Sequence, residues 1–363
     1  MKIGITYDLR KEYLAAGLGE EETAEFDSEM TIAAIDQTLQ DLGYRTDRIG
    51  NIKILTRRLA AGDRWDLVFN IAEGLRGFGR EAQVPALLEA HEIPYTFSDP
   101  LVLSLTLHKG MAKRVVRDLG VPTPDFALVE SESDLAFLDL PFPLFAKPVA
   151  EGTGKGVDST SKITNRRDLL SVCSLLLSRY KQPVLVEAFL PGREVTVGIL
   201  GTGKDAAVVG GMEVIFRDSA ESEVYSYQNK ENSEELVDYA PINGPLLQEA
   251  TDVALLAWRG LGCRDAGRVD LREDEGGRLA FMEVNPLAGL HPTHSDLCLI
   301  ASQEGMTYSG LIEAILSSAM ARYGLERRSV REKKSRDRLQ PAGRPWRSTL
   351  GSLQGRPGAS GIS

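Results

Sequence analysis

Two carboxylates, one amide and one arginine lie at close spacing in the C-terminal part of the chain, where they could bind a metal ion. Arg268 and Asp270 belong to one alternating apolar run, Glu283 and Asn285 belong to the next, and Glu-Gly-Gly at 275–277 separates the two runs. Glycine reaches positive φ without steric cost, so this pattern predicts a β-hairpin. The hairpin would bring together the oxygen atoms of Asp270, Glu283 and Asn285, and such hard ligands suit Mg²⁺. Arg268 would project beside the metal, where a charged transition state could form.

A second candidate site lies upstream, where a lysine precedes a glycine-rich loop. Lys147 stands near the end of an apolar strand predicted at 141–148, and the loop at 151–156 reads Glu-Gly-Thr-Gly-Lys-Gly. Its glycines allow backbone N–H groups to approach a phosphate closely, although the spacing differs from that of a P-loop. A flexible hairpin turn is the alternative, and the nearby lysine favours phosphate binding. The loop residues with this predicted role are Glu151, Gly152, Thr153, Gly154 and Gly156.

Two further carboxylates belong to a pair of strands predicted around the Pro-Gly turn at 191–192. Glu187 directly follows a buried apolar run, where a carboxylate without a partner would be costly. An adenine amino group is a natural donor to Glu187, and Glu194 could accept hydrogen bonds from ribose hydroxyls. The structural alternative for each carboxylate is a salt bridge on an edge strand.

Polar groups in five other segments are candidates of lower specificity. Lys230 lies in a long polar segment that fits a flap closing over phosphate, whereas Lys109 taken alone indicates only a solvated surface charge. Glu25 stands between the first strand and the first helix, where it could meet a substrate ammonium or simply face the positive end of the helix dipole. The Gly-rich loop at 70–81 is either a tight turn or a substrate wall. Backbone N–H groups in the irregular segment 287–295 could stabilise an oxyanion.

Composition restricts the partners and the compartment. The 363 residues carry a net charge of −10 with a pI near 5.2, so neither nucleic acid nor an anionic membrane is an expected partner. No segment approaches the roughly 18 consecutive apolar residues of a membrane-spanning helix, and the first residues lack a signal peptide's apolar region. The three cysteines match neither a zinc pattern nor a disulfide framework, which indicates a reducing cytoplasm.

The elements that must position these residues begin with alternating strands and helices. Strands predicted at 2–7, 65–71 and 93–96 alternate with helices, which is typical of a parallel sheet in an α/β domain over about residues 1–105. One helix carrying Lys109 follows, and it ends before the prolines at 122–124. The last segment, 326–363, is basic and poor in apolar residues, so it is predicted to be disordered, with contact to nucleic acid or an acidic partner as the alternative.

Taken together, these residues resemble the ATP-grasp fold and in particular the D-alanine–D-alanine ligase family, from residue 1 to about 323. The most specific parts are the F-P-x-x-x-K-P strand with its E-G-x-x-x-G loop, and the R-x-D … E-x-N-P hairpin. The resemblance implies an α/β class, with α+β in the ATP-binding part, and three domains clasping ATP. These would be an N-terminal substrate domain (1–105), a central subdomain (106–183) and a C-terminal subdomain with the metal site (184–325).

The resemblance also implies how ATP is held. Lys109, Lys147 and Lys230 would contact its phosphates, together with the loop at 151–156. The remaining implied nucleotide contacts, to adenine and ribose, are Glu187, Ala188, Phe189, Leu190, Glu194 and Met282.

For the chemistry, the resemblance implies a carboxylate–amine ligase that forms an acyl phosphate and then an amide bond. Two Mg²⁺ ions, with Mn²⁺ as an alternative, would be bound by Asp270, Glu283 and Asn285. The other implied residues are Arg268 and the Gly289 amide for the tetrahedral intermediate, Glu25 for the first ammonium, Thr153 in place of a loop serine, and Ser295 for the second carboxylate. Family members are often dimers, so a homodimer is expected.

Departures from the family pattern leave the amino-acid substrate open. The chain has Lys230-Glu231 where Lys-Tyr is common, and Asn70-Ile-Ala-Glu73 where a histidine-containing sequence is usual. A ligase of specialised metabolism joining another amino acid or a small carboxylate is therefore one alternative. A catalytically silent nucleotide-binding protein is the other, and the intact metal ligands argue against it.

Overall fold

The N-terminal part of the chain builds a small parallel sheet. Its strands are β1 (Lys2–Thr6), β2 (Arg45–Gly50) and β3 (Leu67–Asn70), in the order β2-β1-β3. Its helices are α1 (Arg10–Ala15), α2 (Glu29–Asp41), α3 (Ile52–Ala60) and α4 (Gln83–Ala90). Ile3 and Ile5 of β1 and Ile32 and Ile35 of α2 are all fully buried. The α/β character predicted for this part of the chain is confirmed.

Two details of this sheet differ from the prediction. The strand expected at 93–96 is reduced to an isolated bridge between Tyr95 and Val68, because the N–H of Asn70 donates to the hydroxyl of Thr96 at 3.0 Å instead of continuing the backbone ladder. The edge strand β2 and helix α3 were not predicted, since the sequence of β2, Arg-Thr-Asp-Arg-Ile-Gly, is mostly polar.

The predicted helix around Lys109 is two helices, α5 (Pro100–Leu107) and α6 (Lys109–Asp118). His108 separates them because its ring nitrogen Nδ1 accepts a hydrogen bond from the N–H of Met111 at 3.2 Å and so caps α6. The N–H of Lys109 donates to Val149 O at 3.0 Å. This break places Lys109 at the first position of α6 and buries its side chain.

A four-stranded antiparallel sheet follows. It contains β4 (Phe126–Val129), β5 (Leu144–Pro148), β6 (Lys162–Ile163) and β7 (Val184–Ala188) in the order β4-β7-β5-β6, with helix α7 (Arg166–Tyr180) against it. Leu144 and Ala146 of β5 share a core with Leu169 and Cys173 of α7. Lys147 alternates with these residues along β5, so its side chain lies on the opposite face of the strand from this core. There its ammonium group lies 3.9 Å from the carboxylate of Glu283.

The last sheet has five antiparallel strands and carries the hairpin. Its strands are β8 (Glu194–Leu200), β9 (Ala207–Phe216), β10 (Val237–Pro241), β11 (Ala266–Glu273) and β12 (Leu279–Asn285), in the order β10-β9-β8-β11-β12. Its helices are α8 (Gly244–Leu261), α9 (Asp296–Gln303) and α10 (Tyr308–Arg322). Strands β7 and β8 therefore belong to different sheets, although they flank one short turn. The chain passes from one sheet to the other at Gly192, whose N–H donates to Glu273 O at 3.1 Å. A Cβ atom on Gly192 would lie 2.5 Å from the Cβ atom of Glu273.

The structure is a computed structural model that describes residues 1–217 and 236–325. Lys230 and the predicted tail at 326–363 lie outside the described residues. Residues Met1–Gly324 form one compact unit, and the two predicted domain boundaries within it, at 105/106 and 183/184, stay predictions. Within the described ranges, each helix is too short or too polar to cross a membrane.

Candidate active site

The predicted hairpin is confirmed. Asp270 of β11 pairs with Glu283 of β12, and Arg268 pairs with Asn285. The turn closes where the N–H of Asp274 donates to Arg278 O at 2.9 Å, and Gly277 adopts a φ of 75°. Local alternation and a glycine turn are therefore enough to bring the proposed metal ligands together.

A β-bulge in the hairpin directs two successive side chains of β12 toward the same cleft. Pairing shifts between Asp270 and Leu271, so that Leu271 faces Phe281 and Met282 is the extra residue. Such a β-bulge re-orients the side chains of the bulged strand. Met282 and Glu283 consequently both line the cleft between the last two sheets.

Asp270 lies at the centre of a buried polar network. Its Oδ1 accepts a hydrogen bond from the hydroxyl of Thr196 at 3.0 Å, and its Oδ2 contacts the Arg268 guanidinium and the amide of Asn285. Arg268 also lies 3.4 Å from Asp296. Burial lowers the pKa of Arg268, but the carboxylates of Asp270 and Asp296 raise it, and the net shift is upward. Arg268 therefore stays cationic.

The donor set of the hairpin fits a hard divalent cation. Asp270 and Glu283 supply carboxylate oxygens, and Asn285 supplies an amide oxygen. Among the described residues no cluster of three or more His, Cys, Asp or Glu is arranged for a metal, so the site offers only two carboxylates and one amide. Mg²⁺ accepts such a set because it keeps several waters and takes other ligands from phosphates.

Two lysines from different elements approach Glu283. Lys109 Nζ lies 3.6 Å from the Glu283 carboxylate and donates to Glu151 O at 2.6 Å. Lys147 Nζ lies 3.9 Å from Glu283 and 3.1 Å from Glu187. Burial lowers the pKa of Lys147, but the two glutamates raise it, with a net upward shift. Lys147 therefore stays cationic, and both lysines lie beside the proposed metal ligands, where phosphate binding needs them.

Glu187 is held differently from the expectation. Its carboxylate is fully buried, 2.8 Å from Lys113 and 3.1 Å from Lys147, on a strand in the interior of its sheet. Burial raises the pKa of Glu187 and the two lysines lower it, with a net lowering. Lys113 also donates to Phe281 O at 3.2 Å, which ties β7 to the hairpin. No role was predicted for Lys113, and contact of Glu187 with adenine stays a prediction.

The cleft between the last two sheets gathers many of the predicted nucleotide residues around a cavity of about 90 Å³. The predicted residues that line it are Lys109, Lys147, Glu151, Gly154, Glu194, Asp270, Met282 and Glu283. Arg272 also lines it and lies 3.2 Å from Glu194. Gly156, Ala188, Phe189 and Leu190 lie outside this lining, and their contacts with ATP stay predictions.

A second cavity, of about 130 Å³, adjoins the first. The predicted site residues that line it are Glu25, Lys109, Glu151, Gly152, Thr153, Arg268, Glu283, Asn285 and Gly289. Lys109, Glu151 and Glu283 line both cavities. Ser295 is not among the residues that line this cavity, and its Oγ accepts a hydrogen bond from the N–H of His291 at 2.8 Å. Its predicted contact with a second carboxylate is untested.

The glycine-rich loop is fixed by a contact that was not predicted. The N–H of Gly152 donates to Glu25 rather than pointing into the nucleotide cleft. Gly154 has a φ of 72° and lines that cleft. The buried hydroxyl of Thr153 has no hydrogen-bond partner in the described part of the chain.

Glu25 is bound by two cations, which departs from its expected role as a free acceptor for an ammonium. Arg80 contacts both carboxylate oxygens, at 3.1 and 3.0 Å, and Lys155 lies 3.4 Å away. Arg80 also donates to Ala150 O at 2.9 Å. Sequence reasoning gave Arg80 and Lys155 no role, since nothing in the linear pattern connects them with Glu25.

Gly152→Ala is expected to lower the free energy of unfolding by about 1–3 kcal/mol, the usual cost of inserting a methyl group into a packed site. The new Cβ would lie 2.6 Å from Glu25 Oε1, which Arg80 holds in place. Urea denaturation of the full chain measures this. Gly79→Ala is the control, because its Cβ would meet Ser104 Oγ at an ordinary 3.4 Å. Equal stability of the two variants would contradict the packing argument.

Comparison with known proteins finds relatives over most of the chain. The family model described as "D-ala D-ala ligase C-terminus" matches residues 115–317. The D-alanine–D-alanine ligase of Bordetella petrii is 32% identical over 291 residues, which cover 79% of this chain and 83% of that protein. The ligase of Bordetella pertussis is 32% identical over 326 residues, covering 88% and 95%.

A solved structure shows the same fold. The D-alanine–D-alanine ligase of Bacillus anthracis complexed with ATP superimposes with a TM-score of 0.67 at 21% identity, covering 89% of this chain and 99% of that one. The predicted ATP-grasp fold is thereby confirmed. The matches in sequence extend over most of the chain, including the hairpin. The chain therefore belongs to the D-alanine–D-alanine ligase family and is an ATP-dependent, ADP-forming carbon–nitrogen ligase.

Proposed function

We propose that this ligase joins two small amino acids into a dipeptide through an acyl phosphate. D-alanine is the first substrate to test, because the relatives are named for it. The observation that carries the proposal is the junction of the two cavities. Lys109, Glu151 and Glu283 line both the nucleotide cleft and the second cavity, so a carboxylate in the second cavity would face a nucleotide phosphate across them.

The residues at this junction suit the two chemical steps. A carboxylate oxygen of the first amino acid attacks the γ-phosphorus of ATP and ADP leaves, while Lys109 and Lys147 neutralise charge on the phosphoryl oxygens. The amine of the second amino acid then attacks the acyl carbon and phosphate leaves. Arg268 and the N–H of Gly289, which both line the second cavity, stabilise the oxyanion formed in that attack. No side-chain nucleophile is needed.

The donor set supports a metal requirement. Asp270, Glu283 and Asn285 would hold two Mg²⁺ ions, or Mn²⁺ in their place, and the metal supplies neutralisation of phosphate charge when bound. The rest of the nucleotide would be held by Glu194 at the ribose and by the backbone near Leu190 with Met282 at the adenine. Lys230 would close over the phosphates from the flap.

The proposal extends to assembly and compartment. The net charge of −10 supports a protein that binds neither nucleic acid nor an anionic membrane. The buried free cysteines, Cys173, Cys263 and Cys298, are compatible with a reducing cytoplasm. A homodimer follows from the family resemblance, and sedimentation of the full chain would test it.

Mixing the full chain with ATP, Mg²⁺ and a panel of D- and L-amino acids is expected to release ADP and phosphate, because the carboxylate attacks the γ-phosphorus. Chromatography of the nucleotides and a phosphate assay measure the products, and omission of the amino acids is the control. AMP and pyrophosphate among the products would overturn the acyl-phosphate chemistry. Turnover with an amino acid other than D-alanine would assign the chain to the alternative, a ligase with a different substrate.

A further inference from the structure

The second cavity, of about 130 Å³, contains more carboxylates than its neighbouring cations neutralise. Glu25, Glu73 and Glu81 all line it. Glu73 and Glu81 come from the loop that joins β3 to α4. Gly74, with a φ of 72°, lets this loop fold back on itself: a Cβ on Gly74 would lie 2.4 Å from Arg80 O. The fold thus brings Glu73 and Glu81 to the same wall.

The carboxylate of Glu25 already has hydrogen-bond and ion-pair partners at both oxygen atoms. Arg80 binds both of its oxygens, Lys155 lies 3.4 Å away, and the N–H of Gly152 donates to Oε1. Burial raises the pKa of Glu25 and the two cations lower it, with a net lowering. Glu25 therefore carries a charge that its own neighbours balance, and it connects the loop at 151–156 to the N-terminal domain.

Glu81, in contrast to Glu25, is a buried carboxylate whose charge no neighbouring group pairs within the described ranges. Its side chain is only 9% exposed, and it has no ion pair or hydrogen bond within the described ranges. The nearest cations are engaged elsewhere: Arg80 binds Glu25 and Ala150 O, and Lys109 binds Glu151 O. A buried carboxylate without a partner is costly, and burial accordingly raises the pKa of Glu81 to about 7. Glu73 has no ion pair within the described ranges either, and burial, with the charge of Glu81 next, raises its pKa.

We propose that Glu81, with Glu73 beside it, binds the ammonium group of the amino acid whose carboxylate is phosphorylated, and that Glu25 is a positioning residue. This rests on the proposed function. An ammonium in the cavity would supply the cation that the two carboxylates lack. The carboxylate of the same zwitterion would then meet Lys109 and Arg268, the two cations in the lining of this cavity. The first substrate is consequently an α-amino acid and not a simple carboxylic acid.

The proposal also accounts for the sequence at the loop. Glu73 stands in the segment Asn70-Ile-Ala-Glu73, where a histidine-containing sequence is usual in the family. A second carboxylate there adds negative charge to the cavity, and Arg80 neutralises the charge of Glu25. Both features favour binding of an ammonium at Glu81 and Glu73 over binding at Glu25.

Three Glu→Gln variants of the full chain test the proposed ammonium site. Their steady-state kinetics are measured with ATP, Mg²⁺ and the amino acid of highest turnover. Glu81→Gln is expected to raise the KM for the amino acid about 10- to 100-fold, the loss expected for a hydrogen bond to a charged group, with the KM for ATP changed less than about twofold. Glu73→Gln should give a smaller rise. Glu25→Gln should mainly lower the temperature of unfolding, because it weakens contacts between loops.

A second measurement needs no turnover. The amino acids of the panel, D-alanine first, are added without ATP, and the unfolding temperature is recorded. Stabilisation of the wild type that Glu81→Gln abolishes supports the proposal, even if no ADP is released and the proposed function fails. Propionate, which lacks the ammonium, should give no stabilisation. An unchanged KM in Glu81→Gln, equal stabilisation by propionate, or no stabilisation by any amino acid would overturn it.

Discussion

Glu283→Gln is expected to lower kcat by about two orders of magnitude or more with every amino acid. The carboxylate of Glu283 faces Asp270 across the hairpin and lies 3.6 Å from Lys109 and 3.9 Å from Lys147. Its charge is needed to hold a divalent cation, and metal-assisted charge neutralisation contributes several kcal/mol to phosphoryl transfer. Each 1.36 kcal/mol corresponds to a factor of about ten in rate. Steady-state ADP release across the amino-acid panel measures the effect.

The same hairpin offers a matched control. Glu275 lies exposed in the turn, far along the strands from the proposed metal ligands, so Glu275→Gln should keep wild-type turnover. Raising the Mg²⁺ concentration should recover part of the activity of Glu283→Gln. The activity of Glu275→Gln should not depend on this additional Mg²⁺. Full activity of Glu283→Gln, or equal losses in both variants, would mean that the hairpin is not the metal site.

Glu187→Gln is expected to destabilise the protein by about 3–5 kcal/mol, the usual cost of removing one partner of a buried ion pair. The amide keeps the shape of the side chain but leaves Lys113, which is fully buried, and Lys147 without their common counter-charge. Lys113 also holds Phe281 O, so the loss would extend to the hairpin. The free energy of unfolding from urea denaturation measures the effect.

Glu130→Gln is the control for this variant. Glu130 directly follows β4 of the same sheet but is exposed, and surface substitutions usually change stability by less than about 0.5 kcal/mol. A stability of Glu187→Gln close to that of Glu130→Gln would show that the two lysines do not depend on Glu187. Loss of ATP affinity at unchanged stability would instead support the adenine contact expected for Glu187.

Much of the site depends on order along the chain, and the sequence was therefore informative about it. The pairing of Asp270 with Glu283 needs only alternating residues on two adjacent strands and a glycine turn, all within 18 residues of one another. Lys147 and the loop at 151–156 are likewise adjacent in sequence. The bulge at Met282 is the exception in this hairpin, because pairing irregularities leave no regular trace in an alternating pattern.

Tertiary structure decided which charges are already neutralised. Glu25 meets Arg80 and Lys155 from two other segments, and Glu187 meets Lys113 and Lys147, so neither carboxylate has the free oxygens that its sequence position suggested. Tertiary structure also decided that β7 and β8, which are neighbours in sequence, belong to two different sheets.

By itself, then, the sequence determined the hairpin that brings Asp270, Glu283 and Asn285 together, and the position of Lys147 next to the loop at 151–156. Short-range alternation, turn chemistry and adjacency along the chain define these features. Only the tertiary structure decided that Glu25 and Glu187 are paired, while Glu81 is buried without a partner among the residues that the structure describes. The physical reason is that a carboxylate's availability depends on every cation within a few ångströms. Those cations come from residues far away along the chain.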